Sequence, residues 1–392
     1  MMRVLVAFDK FKEALTANQA CETACLEFRR NSRDCEVHAA PLTDGGEGFC
    51  EILTTAAEGE FHKVKATDAR GRRKEVNLGI VQAEKLAIRA RELGAFPETG
   101  SIAVIEMASV AGLHLLGSDD RDPWETSTHG VGEMISAAIE LAVDGILLGI
   151  GGSATNDLGF GALQVLGLRF LDNEAQPIER FRPAVWHRLQ DIKGKVSVPP
   201  LLKIACDVDN PLLGPSGATA VYGPQKGFSP QEVERVEARL PALISSFMNA
   251  TEASPDLVTE AGAGAAGGLG FGLRAAAEGS FVPGFELVSA WLGLDERMAQ
   301  ADLVVTGEGR FDSSSLRGKG PWAVAKRADE LGKRTLILAG SIDPVAVDEV
   351  KKSHPKVEVH AISREELTLE KNIRRTAENL AKVLHRLIEN GN

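Results

Sequence analysis

Acidic and basic side chains recur in glycine-rich loops of this sequence. The acids in these loops are Asp9, Asp44, Glu47, Asp157, Asp207, Asp209, Glu308 and Asp312. The cations in the same set of loops are Lys10, Lys12, Lys226, Arg310 and Lys319. Carboxylates without a histidine or cysteine cluster suit Mg²⁺, and neighbouring cations suit phosphate groups. The combination favours Mg²⁺-assisted phosphoryl transfer.

Six of these loops follow predicted strands, where ligands bind in open α/β sheets. They cover residues 9–12, 43–48, 149–157, 207–210, 307–312 and 340–343. Glycine lets backbone N–H groups approach a phosphate closely, and a helix that begins there adds about half a positive charge. Six such loops favour an anion-binding site over a purely structural role.

The loop 149–157 is compatible with two kinds of nucleotide site. Its first six residues fit G-x-G-x-x-A after a strand, and Asp172 follows at about the spacing of a dinucleotide-binding acid. Asn156 and Asp157, however, are predicted in the first helical turn, where a carboxylate repels a bare pyrophosphate. A bridging Mg²⁺ ion removes that repulsion. A nicotinamide-dependent hydroxy-acid oxidoreductase and a Mg²⁺-dependent phosphotransferase both stay open here.

Single residues of the set also have structural interpretations. Asp44 and Asp157 are compatible with helix caps, and Lys12 with a solvated side chain in a first helical turn. Asp207 and Asp209 precede Asn-Pro and are compatible with an Asx turn. The functional interpretation is therefore supported by the whole set of charged loop residues and not by any single one of them.

Two further features have no assigned chemistry. Glu106 lies in an otherwise apolar segment, so its carboxylate needs a partner, either a structural cation or a ligand site. Residues 262–267 form a second glycine-rich match without a convincing strand before it, which predicts a flexible loop or close helix packing. The sequence contains no Walker A motif, no H-E-x-x-H zinc motif and no G-x-S-x-G nucleophile elbow.

The elements that must position these loops alternate between strand and helix. Predicted strands cover residues 3–8, 35–40, 102–107, 145–149, 201–206, 303–306, 335–339 and 357–362. Predicted helices cover residues 16–30, 230–249, 268–278, 321–331, 345–352 and 369–389. A hairpin is predicted over residues 67–78, with its turn at residues 69–71. This alternation is typical of parallel sheets covered by helices, so we expect an α/β protein.

The two ends of the chain share this alternation, and the middle differs. We therefore expect one α/β domain built from both termini, residues 1–66 with residues 295–392. A second α/β domain, residues 67–294, is expected to be inserted in it.

Composition narrows the classes of partner. The 55 acidic residues exceed the 44 basic residues, so the formal net charge is −11. A chain with this negative charge is a poor candidate for binding nucleic acid or an anionic membrane. Since only 5% of the residues are aromatic, surfaces on which nucleic-acid bases stack are not expected either. The five cysteines fit neither a disulfide framework nor a zinc site, and no apolar segment is long enough to span a membrane. We expect a cytoplasmic protein that binds small molecules.

Long motifs across nearly the whole chain resemble one family. They are residues 4–12 (VLVAFDKFK), 42–48 (LTDGGEG), 105–113 (IEMASVAGL), 126–132 (TSTHGVG), 149–161 (GIGGSATNDLGFG), 205–217 (ACDVDNPLLGPSG), 222–227 (YGPQKG), 262–272, 305–312 (VTGEGRFD) and 318–320. In this order they resemble the bacterial glycerate kinase family, of the type that makes 2-phosphoglycerate. The sequence departs from the family pattern at about residues 84–100, where it carries extra residues.

The resemblance implies a fold and a reaction. The implied fold has two α/β domains, one Rossmann- or flavodoxin-like and one inserted, with the active site in the cleft between them. The implied reaction is the ATP- and Mg²⁺-dependent phosphorylation of D-glycerate, in the breakdown of aldaric acids or glyoxylate. ATP and Mg²⁺ are thus the expected cofactors, and a homodimer is left open.

The same resemblance suggests roles for the loop residues. Nucleotide phosphates are expected to bind to Gly151, Gly152, Ser153, Thr155 and Asn156. Glycerate is expected to bind to Asp44, Gly45, Gly46 and Arg310, with the arginine gripping the carboxylate through two hydrogen bonds. Catalytic roles are expected for Lys10 and Lys12, which neutralise the transferring group, and for Asp44 or Asp207 at the substrate hydroxyl. Mg²⁺ is expected on Asp207, with Asp157 second.

Three alternatives are kept beside this prediction. One is the nicotinamide-dependent oxidoreductase, and a second is a kinase that phosphorylates the 3-hydroxyl of glycerate. A third is a non-catalytic α/β protein that binds anionic metabolites. The residues alone do not choose between the 2- and the 3-hydroxyl.

Overall fold

The structure, a computed structural model, describes residues 1–31, 34–317 and 320–390. Gly318 and Lys319, which the sequence analysis included in the motif loops, lie outside the described residues. Within the described residues the protein is a mixed α/β structure, which confirms the predicted fold class.

The strands of the described residues are, in chain order, β1 (Met2–Phe8), β2 (Cys35–Ala39), β3 (Glu60–Thr67), β4 (Arg73–Gln82), β5 (Ser101–Glu106), β6 (Gly145–Gly149), β7 (Arg169–Leu171), β8 (Asp191–Lys193), β9 (Leu202–Cys206), β10 (Ser280–Pro283), β11 (Leu303–Phe311), β12 (Arg334–Ile342) and β13 (Val357–Ala361). The α-helices are α1 (Ala17–Asn31), α2 (Phe49–Ala56), α3 (Ile88–Gly94), α4 (Ala108–Ala111), α5 (His129–Glu140), α6 (Phe160–Val165), α7 (Ala218–Lys226), α8 (Pro230–Thr251), α9 (Ala265–Ala276), α10 (Gly284–Trp291), α11 (Leu294–Gln300), α12 (Gly320–Glu330), α13 (Pro344–Ser353), α14 (Leu369–Arg374) and α15 (Thr376–Asn390).

The chain divides into two compact units. The first comprises Met1–Asp44 and Val288–Asn392, and the second comprises Gly45–Leu287. The first unit is thus built from both ends of the chain. The predicted boundaries, after residues 66 and 294, lie later in the sequence than this division. The prediction left α2 and β3 in the first domain, and it left residues 288–294 in the inserted one. The strand β3 pairs with β4 in the sheet of the second unit.

The sheet of the first unit has, within the described residues, five strands in the order β13-β12-β11-β1-β2. All neighbouring pairs run parallel. Counted by their sequence within this unit, the strands lie in the order 2-1-3-4-5, which is the flavodoxin-like arrangement. The expected Rossmann- or flavodoxin-like sheet is therefore confirmed.

Apolar side chains cover both faces of this sheet, because successive residues of a strand point to opposite sides. On one face, Val4 and Val6 of β1 share a buried cluster with Phe28 of α1. On the other face, Ile337 of β12 shares a buried cluster with Trp322 of α12. Helices on both faces are the usual cover of a parallel sheet, and they leave its carboxyl edge to the loops.

The connections of this sheet change direction between β1 and β11. From β1 the chain continues to β2 on one side, whereas β11 leads to β12 and β13 on the other. In open α/β sheets, ligands bind beyond the carboxyl ends of the two strands at such a switch point. The residues that follow β1 and those that end β11 occupy this position.

The second unit contains a mixed sheet of six strands within the described residues, in the order β10-β9-β6-β5-β4-β3. The strands β5, β6, β9 and β10 are parallel, and β4 is antiparallel to both of its neighbours. The predicted hairpin is present as β3 and β4, but it spans residues 60–82. Its turn is closed by Asp68, whose N–H donates to the carbonyl of Arg72 at 2.8 Å.

The start of α1 and the cysteines were both indicated by the sequence, through the predicted helix over residues 16–30 and the absence of a disulfide pattern. Thr16 is also a plausible N-cap from its residue type, because its hydroxyl can accept a hydrogen bond from the first turn. Thr16 caps α1, since its Oγ1 accepts the N–H of Gln19 at 3.2 Å while Gln19 Oε1 accepts the N–H of Thr16 at 3.0 Å. All five cysteines are free, and Cys21 and Cys25 are buried. No helix of the described residues is long and apolar enough to cross a membrane.

Candidate active site

Charged residues meet at the switch point of the first unit. The N–H of Asp9 donates to the carbonyl of Gly307 at 3.0 Å, which sets Asp9 beside Glu308 at the carboxyl ends of β1 and β11. Lys10 follows, and its Nζ lies 3.5 Å from Asp44 Oδ1. The structure therefore brings together two predicted catalytic residues, Lys10 and Asp44, which are distant in sequence.

Glu308 has a strongly raised pKa. Its side chain is partly buried, and Oε1 has no hydrogen-bond partner among the described residues. Burial is the largest cause of the rise, the negative charges of Asp9, Asp312 and Asp44 act in the same direction, and a hydrogen bond from Ser315 acts against them. Together these effects raise the pKa to about 7. With this pKa, the protonated and the ionised form of the carboxyl group are both populated near neutral pH.

Two further predicted cations of this unit, Arg310 and Lys12, lie at the same edge, and Lys319 is outside the described residues. Arg310 Nε lies 2.9 Å from Asp312 Oδ2, and the arginine side chain is 73% exposed. Lys12 is exposed and borders a cavity that is also lined by Gly309 and Gly340. An anion at this edge would thus meet exposed cationic side chains and backbone at the ends of three strands.

In the second unit, the glycine-rich loop after β6 packs directly on residues 45–46. The N–H of Gly151 donates to the carbonyl of Gly45 at 2.9 Å. A Cβ atom on Gly151 would lie 2.7 Å from Gly46 N and 2.9 Å from its Cα, closer than real Cβ contacts. Two segments that the sequence analysis assigned to nucleotide and to glycerate are therefore in contact, and glycine is required at the contact.

Only part of the predicted nucleotide-binding set is accessible. The residues at least partly exposed are Gly151, Gly152 and Ser153. Thr155 and Asn156 are buried, and Asn156 Nδ2 donates to Thr219 Oγ1 at 3.0 Å. The exposed residues 151–153 can contact a phosphate, whereas the buried side chains of Thr155 and Asn156 support the conformation of the loop from the protein interior.

The underside of this loop is supported by α9 and by a buried lysine. A Cβ atom on Gly267 would lie 2.1 Å from the carbonyl oxygen of Thr155, so α9 approaches as closely as backbone allows. Lys226 Nζ donates to the same carbonyl at 2.7 Å, and burial lowers the lysine pKa to about 7. Gly267 has a left-handed backbone with φ of 67° in a kink of α9, so the contact with Thr155 supports close packing of a glycine-rich turn and not of a regular helix.

Asp157 lies fully inside the second unit. Its carboxylate accepts hydrogen bonds from the Thr128 N–H at 2.7 Å, Thr128 Oγ1 at 2.9 Å and Ser127 Oγ at 3.3 Å. The N–H groups of Gly159 and Gly161 donate to it at 3.2 Å each. Burial raises the pKa of this carboxyl, and the hydrogen bonds act against that rise. This environment favours a structural role over the predicted Mg²⁺ ligation.

Sequence reasoning did not identify Ser127 and Thr128 as the partners of Asp157. They lie about 30 residues upstream, in the motif 126–132 that contributes to the family resemblance. The run of hydroxyl residues before α5 could have pointed to them. Such residues are typical of helix starts and form hydrogen bonds with neighbouring polar groups.

Asp207 is placed at the carboxyl end of β9. Its Oδ2 accepts the N–H of Phe285 at 2.8 Å, in the first turn of α10. Among the described residues, no group of three or more histidine, cysteine, aspartate or glutamate side chains is arranged to hold a metal ion. The Mg²⁺ role of Asp207 stays a prediction.

The partner of Glu106 is a helix terminus. The N–H groups of Gly48 and Cys50 donate to Glu106 Oε2 at 3.1 Å and 3.3 Å. A carboxylate is favourable at the N-terminus of α2, where N–H groups lack partners within the helix. This contact gives the buried acid a backbone partner that the sequence analysis had not considered.

The geometry around Asp172 disfavours a dinucleotide site. Asp172 Oδ1 accepts the N–H groups of Glu174 at 3.1 Å and Gln176 at 3.0 Å, and Oδ2 pairs with Arg188 at 3.0 Å. Within the described residues, the preceding strand β7 pairs with β8 in a separate two-stranded sheet. A ribose-binding acid instead ends the strand that neighbours the glycine-rich loop in the same parallel sheet.

Comparison with known proteins identifies the family. The family model described as "Glycerate kinase family" matches residues 4–390. The chain belongs to the glycerate kinase family. The resemblance drawn from the motifs is thereby confirmed, and the protein is an enzyme of the kinase class.

Individual relatives of this glycerate kinase family member match over most of their length. The glycerate kinase of Haemophilus influenzae is 35% identical over 394 residues, which cover 98% of this chain and 99% of that protein. The glycerate 2-kinase of Escherichia coli is 35% identical over 351 residues, 88% of this chain and 87% of that protein. A crystal structure assigned to glycerate kinase 2 of Salmonella typhimurium LT2 has a TM-score of 0.74 at 33% identity and covers 99% of this chain and 98% of that one.

Proposed function

We propose that the protein transfers the γ-phosphate of ATP to the 2-hydroxyl of D-glycerate in a Mg²⁺-dependent reaction. The observation that carries this proposal is the contact between Gly151 and residues 45–46, which joins two backbone segments rich in N–H groups at the carboxyl edge of one sheet. The relationship to a glycerate 2-kinase supports the choice of acceptor. A cytoplasmic setting, where ATP is available, and a place in the breakdown of aldaric acids or glyoxylate belong to the same proposal.

The nucleotide phosphates are proposed to bind along the exposed part of the loop after β6. Gly151, Gly152 and Ser153 present backbone N–H groups and one hydroxyl there. The lysine and the helix beneath, Lys226 and α9, hold Thr155 in place, so the loop needs little reorganisation when it binds. Preorganised donors are the main source of transition-state stabilisation in phosphoryl transfer.

Glycerate is proposed to bind through the charged groups of the first unit. Arg310 offers a planar pair of donors for the carboxylate, and its exposure leaves it able to turn from Asp312 to a substrate. Asp44 accepts a hydroxyl group of glycerate, and Lys10, which already pairs with Asp44, neutralises the phosphoryl oxygens. Lys12 adds a second cation at the same sheet edge.

Asp207 is the residue proposed to hold Mg²⁺. Proteins commonly bind this ion through one or two carboxylates, with water and substrate phosphate oxygens as the other ligands, so a single aspartate at a strand end fits the need. When bound, Mg²⁺ neutralises charge on the β- and γ-phosphates. Asp157 is left out of the proposed site, because its carboxylate is already saturated by five donors.

A thermal-shift experiment separates the kinase from the oxidoreductase alternative. A ligand that binds only the folded state at about 100 times its Kd stabilises it by about 2.7 kcal/mol. For a chain of this size we therefore expect ATP with Mg²⁺ to raise Tm by about 5 °C, and NADH and NADPH to leave it unchanged. A rise with NADH or NADPH and none with ATP and Mg²⁺ would favour the oxidoreductase.

A further inference from the structure

A carboxyl group that the proposed roles above do not use lies at the switch point of the first unit. Glu308 is on β11, pairs in register with Ala339 of β12, and follows Gly307, whose carbonyl accepts the N–H of Asp9. It therefore lies at the carboxyl ends of the two strands where ligands bind in this type of sheet. The residues proposed to hold glycerate and the phosphoryl group surround the same position.

The groups that act on Glu308 come from the ends of three strands. Asp9 follows β1, Asp44 follows β2 and Asp312 directly follows β11, and Ser315 in the next turn forms a hydrogen bond with Glu308. Lys10 pairs with Asp44, and Arg310 pairs with Asp312, so each of these cations is already balanced by an aspartate. Glu308 Oε1 is buried and without a hydrogen-bond partner among the described residues.

An unpartnered buried carboxyl oxygen is costly unless a ligand or a proton satisfies it. Here the neighbouring negative charges make proton uptake favourable, and burial raises the pKa of Glu308 to about 7. A general base works best when its pKa lies near the working pH, because it is then both deprotonated and strongly basic.

We propose that Glu308 is the general base that accepts the proton of the glycerate hydroxyl during phosphoryl transfer. The proposal rests on the kinase function proposed above. As the hydroxyl oxygen forms its bond to the γ-phosphorus, its proton moves to the Glu308 carboxylate. The bond from the γ-phosphorus to the β–γ bridging oxygen breaks, and ADP leaves with that electron pair. Glu308 then returns the proton to solvent.

The two acids considered for this role from sequence are less suited by geometry. Asp44 is half exposed, and its Oδ1 lies 3.5 Å from Lys10 Nζ. Its carboxylate is therefore already paired with a cation. Asp207 in the second unit uses Oδ2 to accept the N–H of Phe285. Glu308 differs from both by its buried, unpartnered oxygen, and this assignment leaves Asp44 to position the hydroxyl.

The test is the pH dependence of kcat/KM for glycerate in wild-type protein, Glu308→Gln and Glu308→Asp. For the wild type, kcat/KM rises with pH through a midpoint near the Glu308 pKa of about 7 and levels off at higher pH, because the base must be deprotonated. Glu308→Gln keeps the shape but cannot accept a proton, so we expect kcat to fall by about 10²- to 10⁴-fold and the acidic limb to disappear. Glu308→Asp keeps a base at a greater distance and retains the limb with a smaller loss.

The control is Glu330→Gln, an exposed glutamate of α12 that pairs with Arg327 at 3.2 Å, which leaves the profile unchanged. Circular dichroism melting checks that each variant folds. If Glu308→Gln does not fold, the pH profile of Glu308→Asp provides the test instead. A Glu308→Gln profile with the wild-type limb overturns the proposal, as does a loss that excess Mg²⁺ restores. Wild-type protein that releases no ADP with glycerate contradicts the kinase function itself, which is a separate outcome.

Discussion

Replacing Gly151 by alanine is expected to lower kcat/KM at least about 100-fold, because displacements of about 1 Å at a catalytic loop have effects of this size. The new Cβ atom would lie 2.7 Å from Gly46 N, and backbone on both sides leaves no flexible side chain to yield. The loop after β6 and residues 45–46 must therefore separate, and the hydrogen bond from Gly151 N–H to the carbonyl of Gly45 is lost.

The measurement is a steady-state assay of ADP release with ATP and glycerate varied in turn. Gly117→Ala is the matched control, since a Cβ atom there meets nothing within 4 Å and the backbone φ of −61° suits alanine. We expect the control to keep wild-type rates. Equal rates for Gly151→Ala and the wild type would show that the contact between the two segments has no part in the reaction.

Replacing Asp157 by alanine is expected to lower the free energy of unfolding by about 3–5 kcal/mol, because buried donors lose their shared acceptor. The bonds lost come from Ser127, Thr128, Gly159 and Gly161, which belong to segments on both sides of the site loop. The buried ammonium of Lys226 also loses the negative charge that favours it. Urea unfolding measures the change directly.

Asp119→Ala is the control for this variant, because Asp119 is exposed and surface substitutions change stability by less than about 0.5 kcal/mol. The Mg²⁺ dependence of the rate provides a second readout. If Asp157 were the metal ligand that its position in the sequence suggested, Asp157→Ala would keep near-normal stability and require far more Mg²⁺. That result would contradict the structural role.

The sequence predicted the elements better than their arrangement. Apolar runs such as residues 3–8 and 303–306 identify strands, and their spacing identifies a parallel sheet. The order β13-β12-β11-β1-β2 depends on pairing between residues about 300 positions apart, as between Val4 and Leu303, which periodicity does not contain. The predicted boundary after residue 66 differs from the division after Asp44 for the same reason, because the residues of β3 do not show that β3 pairs with β4.

The sequence identified the loops of the candidate site. It did not show which residues of these loops are buried and which are exposed. Glycines and charges after strands mark the carboxyl edge, so Lys10, Asp44 and Gly151 could be found from residue types. Whether a polar residue of such a loop faces solvent or the interior depends on distant partners. Asp157 meets Thr128 and Asn156 meets Thr219, contacts that span 29 and 63 residues.

The most direct test of the proposed reaction is to incubate the protein with ATP, Mg²⁺ and D-glycerate and to record the proton-coupled ³¹P NMR spectrum of the products. Phosphorus on the 2-oxygen couples to the single proton at C2, whereas phosphorus on the 3-oxygen couples to the two protons at C3. We expect the signals of ADP together with one new phosphomonoester doublet. A triplet would show phosphorylation of the 3-hydroxyl, and a spectrum without a new phosphomonoester would contradict glycerate phosphorylation altogether.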